Sequence, residues 1–279
     1  HSINTRIVTS DMKVAAIIVT HDREPDVVRR ALQSVMNQKR PLDDIILIDN
    51  GIQRNNDIKN WIDKNYSRIK YHYLPELSGP EARNHGASLT DCEAICFLDD
   101  DDEWYPKKIQ DQIPLLTEGV CLVTSPFLLE SPNNESKVSI PKQANHMTVL
   151  GSNLVGPTSF VMVSKDIFDK VGGFDTSFRS NQEWDLWMRM LEHGRSVVTD
   201  DPIGIKHYSD RSITSDSERR RKGWYSIIRK HMFQYLRNPE QMFIASGIFM
   251  DEMQSYGYGA DALFGKVGFY LACVLRRIR

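Results

Sequence analysis

Four consecutive aspartates, Asp99 to Asp102, follow an apolar run in AICFLDDDDEWYP, with Glu103 behind them. Carboxylates a few ångströms apart repel and raise one another's pKa unless a cation or a ring of donors offsets them. Two readings meet that condition: a solvated acidic loop whose charges point apart, or a divalent-cation site. Mg²⁺ and Mn²⁺ prefer carboxylate, phosphate and water oxygens and usually take only one or two protein carboxylates. Asp22 and Asp49 also stand just past short apolar runs, KVAAIIVT and DIILIDN. Three acids at three such ends are more than a solvated loop predicts.

The elements around these acids follow from periodicity. KVAAIIVT (13–20) is continuous, apolar and rich in β-branched residues, as a strand buried on both faces would be. Val27, Val28, Ala31, Leu32, Val35 and Met36 then recur at helical spacing, with Pro25 and Asp26 suited to the helix start. DIILIDN (44–50) completes a βαβ unit, which implies a parallel pair with a right-handed crossover. IKNWIDKNY, IKYHYL, GPEARNHGASL and EAICFL repeat the alternation, so the expected fold is an open doubly wound α/β domain with ligands at the carboxyl ends of its strands. Further on, KKIQDQIPLL reads as a helix interrupted near Pro114, GVCLVTSPFLL as one strand, and 129–146 as a mobile Ser/Asn/Pro-rich loop. GPTSFVMVS, SVVTDD and IGIKHY read as strands, and NQEWDLWMRMLEHG as a helix stopped by Gly194.

Composition excludes several classes. With 279 residues, 41% hydrophobic and 26% charged, the chain can bury a full core. A formal charge of −2 gives no global attraction to nucleic acid. Cys92, Cys96, Cys121 and Cys273 show neither zinc spacing nor a disulfide framework, so a reduced protein of the cytoplasm is expected. No run reaches the eighteen apolar residues of a membrane span. Residues 1–11 read as a leader before Met12, 12–215 as the α/β unit and 216–279 as a helical, basic region. In the last, ALFGKVGFYLACVLRRIR sets apolar residues beside Lys266, Arg276, Arg277 and Arg279. Such a segment fits peripheral contact with the inner face of a membrane, or an ordinary packing helix with a basic last turn.

VTHDREPDVVRRALQSVMNQ, IILIDNG, SGPEARNHGAS, FLDDDDEWYPKKI and GGFDTSFRSNQEWDLWMRM occur in one order across about residues 13–215. This series resembles the inverting family 2 glycosyltransferases of GT-A fold, an open mixed, mostly parallel sheet flanked by helices. The resemblance makes Asp99 and Asp101 the DXD pair. Asp101 would hold Mn²⁺ or Mg²⁺ against the donor diphosphate, and Asp99 would meet the ribose or the metal's water shell. Asp100 or Asp102 would replace them if the register slips by one. It places Thr20, Asp22, Asp49 and Arg83 at the nucleotide sugar, with UDP the expected nucleotide and capping of the next helix the rival role for Asp22. Glu183 becomes the general base and Asp185 its alternative. Asp175 and Trp184 would line the acceptor side, although Trp184 and Trp187 also suit a core, and His207 would reach the metal or the diphosphate. The implied reaction moves a sugar from a nucleotide diphosphate to a glycan or polyprenyl-linked acceptor in surface polysaccharide assembly. A sugar nucleotidyltransferase would want a glycine-rich basic loop where HDREP stands, and a catalytically silent sugar-nucleotide or glycan-binding module is the non-enzyme rival.

Overall fold

β1 (Val14–Thr20) is buried along almost its whole length and lies at the centre of the sheet. The computed structural model describes residues 12–131, 135–208, 216–262, 265–268 and 271; the leader 1–11 and most of the basic C-terminal segment fall outside these. After β1 come α1 (Pro25–Met36), β2 (Asp44–Asp49), α2 (Asn56–Asn65), β3 (Ile69–Tyr73), α3 (Gly79–Ser88) and β4 (Ala94–Asp99). The chain continues through β5 (Glu103–Trp104), α4 (Lys108–Gln112), β6 (Val120–Thr124), β7 (Phe127–Glu130), β8 (Ser136–Ser139) and β9 (Val161–Ser164). It then forms α5 (Lys165–Lys170), α6 (Gln182–Met190), β10 (Arg195–Val198), β11 (Gly204–Lys206), α7 (Ser217–Lys230), α8 (Met232–Arg237) and α9 (Pro239–Ser255).

Seven strands make the main sheet in the order β10-β6-β9-β4-β1-β2-β3. All run parallel except β9, which lies antiparallel between β4 and β6. Register brings the predicted acids together: Thr20 pairs with Asp49 across β1–β2, and Val19 with Asp99 across β1–β4. Adjacent strands are about 4.8 Å apart, so three residues far apart in sequence end on one edge.

The pleat of β1 divides the core. Ala15 and Ile17 face a cluster with Phe97, Leu122, Trp184, Trp187, Trp224 and Phe249, whereas Val14, Ala16 and Ile18 face one with Leu32, Ile62, Leu98 and Ile109. Helices α7–α9 therefore share one core with α6 and the sheet. Gly86 of α3 serves this packing rather than a ligand, since a Cβ there would lie 2.5 Å from Ile17 Cγ2.

Two readings of the sequence are corrected. GVCLVTSPFLL is two strands, not one: the ladder of β6 ends before Ser125–Pro126, and β7 enters a second sheet of order β5-β11-β7-β8. Proline offers no N–H to continue a ladder. Within the expected loop 129–146, β8 pairs antiparallel with β7, from Phe127–Ser139 to Glu130–Ser136. No helix among the described residues is long and apolar enough to cross a membrane.

Candidate active site

Alternation along the acidic run sorts the four aspartates. The side chains of Asp99 and Asp101 are 27% and 18% exposed, whereas those of Asp100 and Asp102 are 8% and 0%. Each meets a cation. Arg83 of α3 donates Nη2 to Asp99 at 2.5 Å and stacks 5.7 Å from the Phe174 ring centroid. Arg23 forks, with Nε to Asp100 at 3.0 Å and Nη2 to Asp101 at 2.8 Å. Asp100 also accepts from Thr20 Oγ1 at 2.8 Å, and Lys206 of β11 lies 3.5 Å from Asp102.

Burial sets the charge of these groups. It pushes Asp100 up to about 6 against the pull of Arg23, and Asp102 up to about 7 against that of Lys206. For Asp99 burial is outweighed by Arg83 and then Lys206, so its carboxyl stays below the usual range. The outer pair thus offers oxygen to the strand mouth while the inner pair joins loop to sheet.

The residues fit a divalent cation. Asp102 Oδ1 is buried with no hydrogen-bond partner among the described residues, and the open oxygens of Asp99 and Asp101 are hard ligands. Among the described residues no three His, Cys, Asp or Glu side chains form a ready cage, so a phosphate would have to complete the coordination, as is usual for Mg²⁺.

The other expected donor residues are tied into turns. Asp49 is 1% exposed; Oδ1 accepts from Gly51 N at 3.1 Å, and Oδ2 from Asn55 N at 2.9 Å and from the Tyr71 hydroxyl. Oδ1 keeps one lone pair. Asp22, at φ 47°, accepts from Ile52 N at 2.9 Å and so joins the β1 and β2 loops. It does not cap α1, whose N-cap is Glu24. Thr20 and Asp100 satisfy one another beneath the site, which corrects their expected contact with the ligand.

On α6 the two candidate bases separate. Glu183 is partly exposed and pairs with no cation among the described residues; burial raises its pKa, opposed by its own backbone N–H, Arg220 and Arg83 and reinforced by Asp99. Asp185 is fully buried, holding Arg189 Nε at 2.9 Å, His231 Nε2 at 2.9 Å and Lys230 Nζ at 2.8 Å. This corrects its candidacy as base, because all its acceptor capacity is spent inside the fold. Trp184 is likewise core rather than acceptor wall, donating Nε1 to Val149 O at 2.7 Å with its ring edge-on to Trp224. Asp175 accepts from Ser177 and, at 2.6 Å, from Lys230. His207 has both ring nitrogens against carboxylates, Glu130 at 2.7 Å and Glu103 at 3.4 Å, so neither is left for a metal.

Sequence reasoning missed Arg23 and Lys206. Both were legible as cations next to strand ends, in HDREP and IGIKHY, where an acidic quartet demands counter-charge.

A mostly parallel sheet with an acidic, cation-braced mouth and a carboxylate-bearing helix beside it is the GT-A glycosyltransferase frame. Solved structures share it. A S. aureus TarS structure in complex with UDP-GlcNAc superposes with TM-score 0.65 at 15% identity over 88% of this chain and 73% of that one. A mannosyltransferase from Pyrobaculum calidifontis in complex with GDP-Man and Mn²⁺ gives 0.62 at 14% identity over 96% and 86%. Residues 15–172 match Glycosyl transferase family 2, and the chain belongs to that family. It is 26% identical to a putative colanic acid biosynthesis glycosyl transferase, WcaA, of Escherichia coli, over 75% of this chain and 77% of that one. An uncharacterized glycosyltransferase of Haemophilus influenzae is 24% identical over 58% of this chain, which spans only 57% of that relative.

Proposed function

We propose that this glycosyltransferase moves a hexosyl or N-acetylhexosaminyl group from a nucleoside diphosphate donor, UDP-linked, to a glycan or polyprenyl-linked acceptor of a surface polysaccharide, with inversion. The observation that carries the reading is the unpaired carboxylate of Glu183 within Coulombic reach of Arg83 and Asp99. Base and donor site then share one mouth. The nucleotide sugars bound by the two structural neighbours and the putative colanic acid biosynthesis role of the E. coli relative support the substrate classes.

In this mechanism Glu183 takes the acceptor hydroxyl proton as that oxygen attacks the anomeric carbon. The new C–O bond forms on the face opposite the breaking bond to the diphosphate, which departs with the bonding pair. A carboxylate held above its usual pKa by burial is a stronger base than a free one. Arg83 offers a planar fork to phosphate oxygens once Asp99 turns to the ribose or the cation shell. Asp49 holds the β2 turn and reads the base through its remaining lone pair. Mn²⁺ or Mg²⁺, when bound, would be held by Asp101 with Asp99 and would supply charge neutralisation to the leaving diphosphate.

Phe233 on α8 is 78% exposed, and Ile244 and Ile248 on α9 are also open, with Arg237 one turn after Phe233. We assign peripheral contact with an anionic lipid surface to the basic C-terminal segment, with these exposed apolar side chains beside it in sequence.

The test is a panel of nucleotide sugars with Mn²⁺, read by mass spectrometry of transfer or slow donor hydrolysis. Wild type is expected to turn over at least one UDP-sugar, and Glu183→Gln to bind that donor without turnover. Donor binding with no turnover by wild type across the panel would instead mark a binding module.

A further inference from the structure

The side chain at the turn that leads into Glu183 is engaged by another helix, not by its own. Asn181, the N-cap of α6, sits in the left-handed region at φ 59° and makes no side-chain cap. Asparagine tolerates that conformation better than most residues, but something must hold it there. Its Oδ1 accepts from Arg220 Nη1 of α7 at 2.9 Å. The other edge of the same guanidinium is fixed by Glu252 of α9, at 2.7 Å to Nε and 3.0 Å to Nη2, and Glu252 is braced in turn by Trp224 Nε1 at 2.8 Å. One turn on, Gly223 lets α7 lie directly on this segment: a Cβ there would stand 2.9 Å from both Ser180 Cβ and Ser180 O. Trp184, next to Glu183, meets Trp224 edge-on at 5.0 Å between centroids.

We propose that Arg220 is a positioning residue for the transfer reaction: clamped by Glu252, it fixes Asn181 and with it the first turn of α6, so that the C-terminal helices aim the Glu183 carboxylate. The inference rests on Glu183 being the base. It gives α7–α9 a part in catalysis that touches neither donor nor acceptor. A rigid fork suits the task, because a planar guanidinium can hold a carboxylate on one edge and an amide oxygen on the other, which an ammonium cannot do with fixed geometry.

Three variants test it, each read by turnover, by calorimetric UDP–Mn²⁺ affinity and by pH–rate profile. Asn181→Gly keeps the backbone at ease in the left-handed region while removing the clamp; Arg220→Lys keeps the charge, and Arg220→Ala removes both. Nucleotide affinity is expected to stay within about twofold of wild type in all three, since the donor residues lie elsewhere. The kcat of Asn181→Gly and Arg220→Ala should fall on the order of ten- to a hundredfold, the scale of a misaimed group. The charged groups facing Glu183 are Arg220 from α7, Arg83 from α3 and Asp99 from β4. Losing Arg220 removes a cation that favours the ionised base, so the acid limb of kcat moves to higher pH in Arg220→Ala and not in Arg220→Lys. Wild-type kcat in Asn181→Gly, or an unmoved acid limb in folded Arg220→Ala, overturns the proposal. Should Arg220→Ala fail to fold, Asn181→Gly carries the test alone. Glu183→Gln separates the two claims. If it retains turnover, the base assignment fails; if it is dead while Asn181→Gly and Arg220→Ala are normal, only the positioning role fails.

Discussion

Asp185→Asn separates the two acids of α6 by what each loss costs. Asp185 lies under Arg189, Lys230 and His231, and joins α6 to α7 and α8. Burial pushes its pKa up, but the His231 hydrogen bond, Arg189 and Lys230 outweigh it, so the carboxyl is held below its usual range. Breaking a buried pair by removing one charge costs on the order of 3–5 kcal/mol, because the partners stay desolvated. Asparagine keeps the shape and part of the hydrogen bonding, which puts this substitution near the lower bound, about 3 kcal/mol. For a chain of this size that lowers Tm by roughly 6–12 °C. The pH signature has a definite sign. A depressed folded pKa contributes stability above the unfolded value of about 3.9, lost as pH falls through the folded pKa, so the gap between wild type and variant narrows below about pH 4. Thermal and urea unfolding across pH measure this, with kcat taken at a temperature where both are folded. Turnover within a few-fold of wild type is expected. A variant that melts with wild type, or that is folded yet as inactive as Glu183→Gln, would refute the assignment of Asp185 to structure.

Gly86→Ala should destabilise by about 1–3 kcal/mol through overpacking against Ile17, read as a lower urea midpoint at unchanged m-value. Arg23→Met strips counter-charge from Asp100 and Asp101, so Mn²⁺ affinity of the nucleotide-free protein, followed by electron paramagnetic resonance, should rise several-fold; an unchanged affinity would mean the cation binds elsewhere. Phe233→Ser should reduce cosedimentation with anionic vesicles several-fold and leave binding to neutral ones unchanged, since an exposed aromatic anchors only where basic residues reach headgroups.

The first half of the fold was legible because its strands are buried on both faces and its helices are amphipathic, so local composition carries the period: β1, α1, β2, α2, β3, α3 and β4 stand where the pattern places them. The second sheet was not legible. β7 and β8 are short, one is exposed, and they are defined by pairing, β8 with β7 and β7 with β11 some seventy residues away, rather than by their own sequence. The same limit separates the site residues. Asp99, Asp101 and Glu183 declare themselves by charge at an element's edge. The roles of Asp185, Trp184 and His207 depend on what packs against them from α7, α8 and β7, and a linear pattern does not display that.

The acidic quartet now has a physical division of labour. A single strand-like alternation points Asp99 and Asp101 outward and Asp100 and Asp102 inward, and the inward pair is where burial pushes the pKa up, toward 6 and 7. Repulsion among four adjacent carboxylates is thereby reduced before any cation arrives, because the inner two resist ionisation and are met by Arg23 and Lys206. Of the outer two, Asp99 is held below the usual carboxylate range by Arg83, and Asp101 meets the other edge of Arg23. A loop built this way meets its carboxylates with protein cations and still presents carboxylate oxygen at the strand mouth. Four aspartates at one edge are therefore compatible with a stable sheet only because basic residues from α3, β11 and the loop after β1 converge on them.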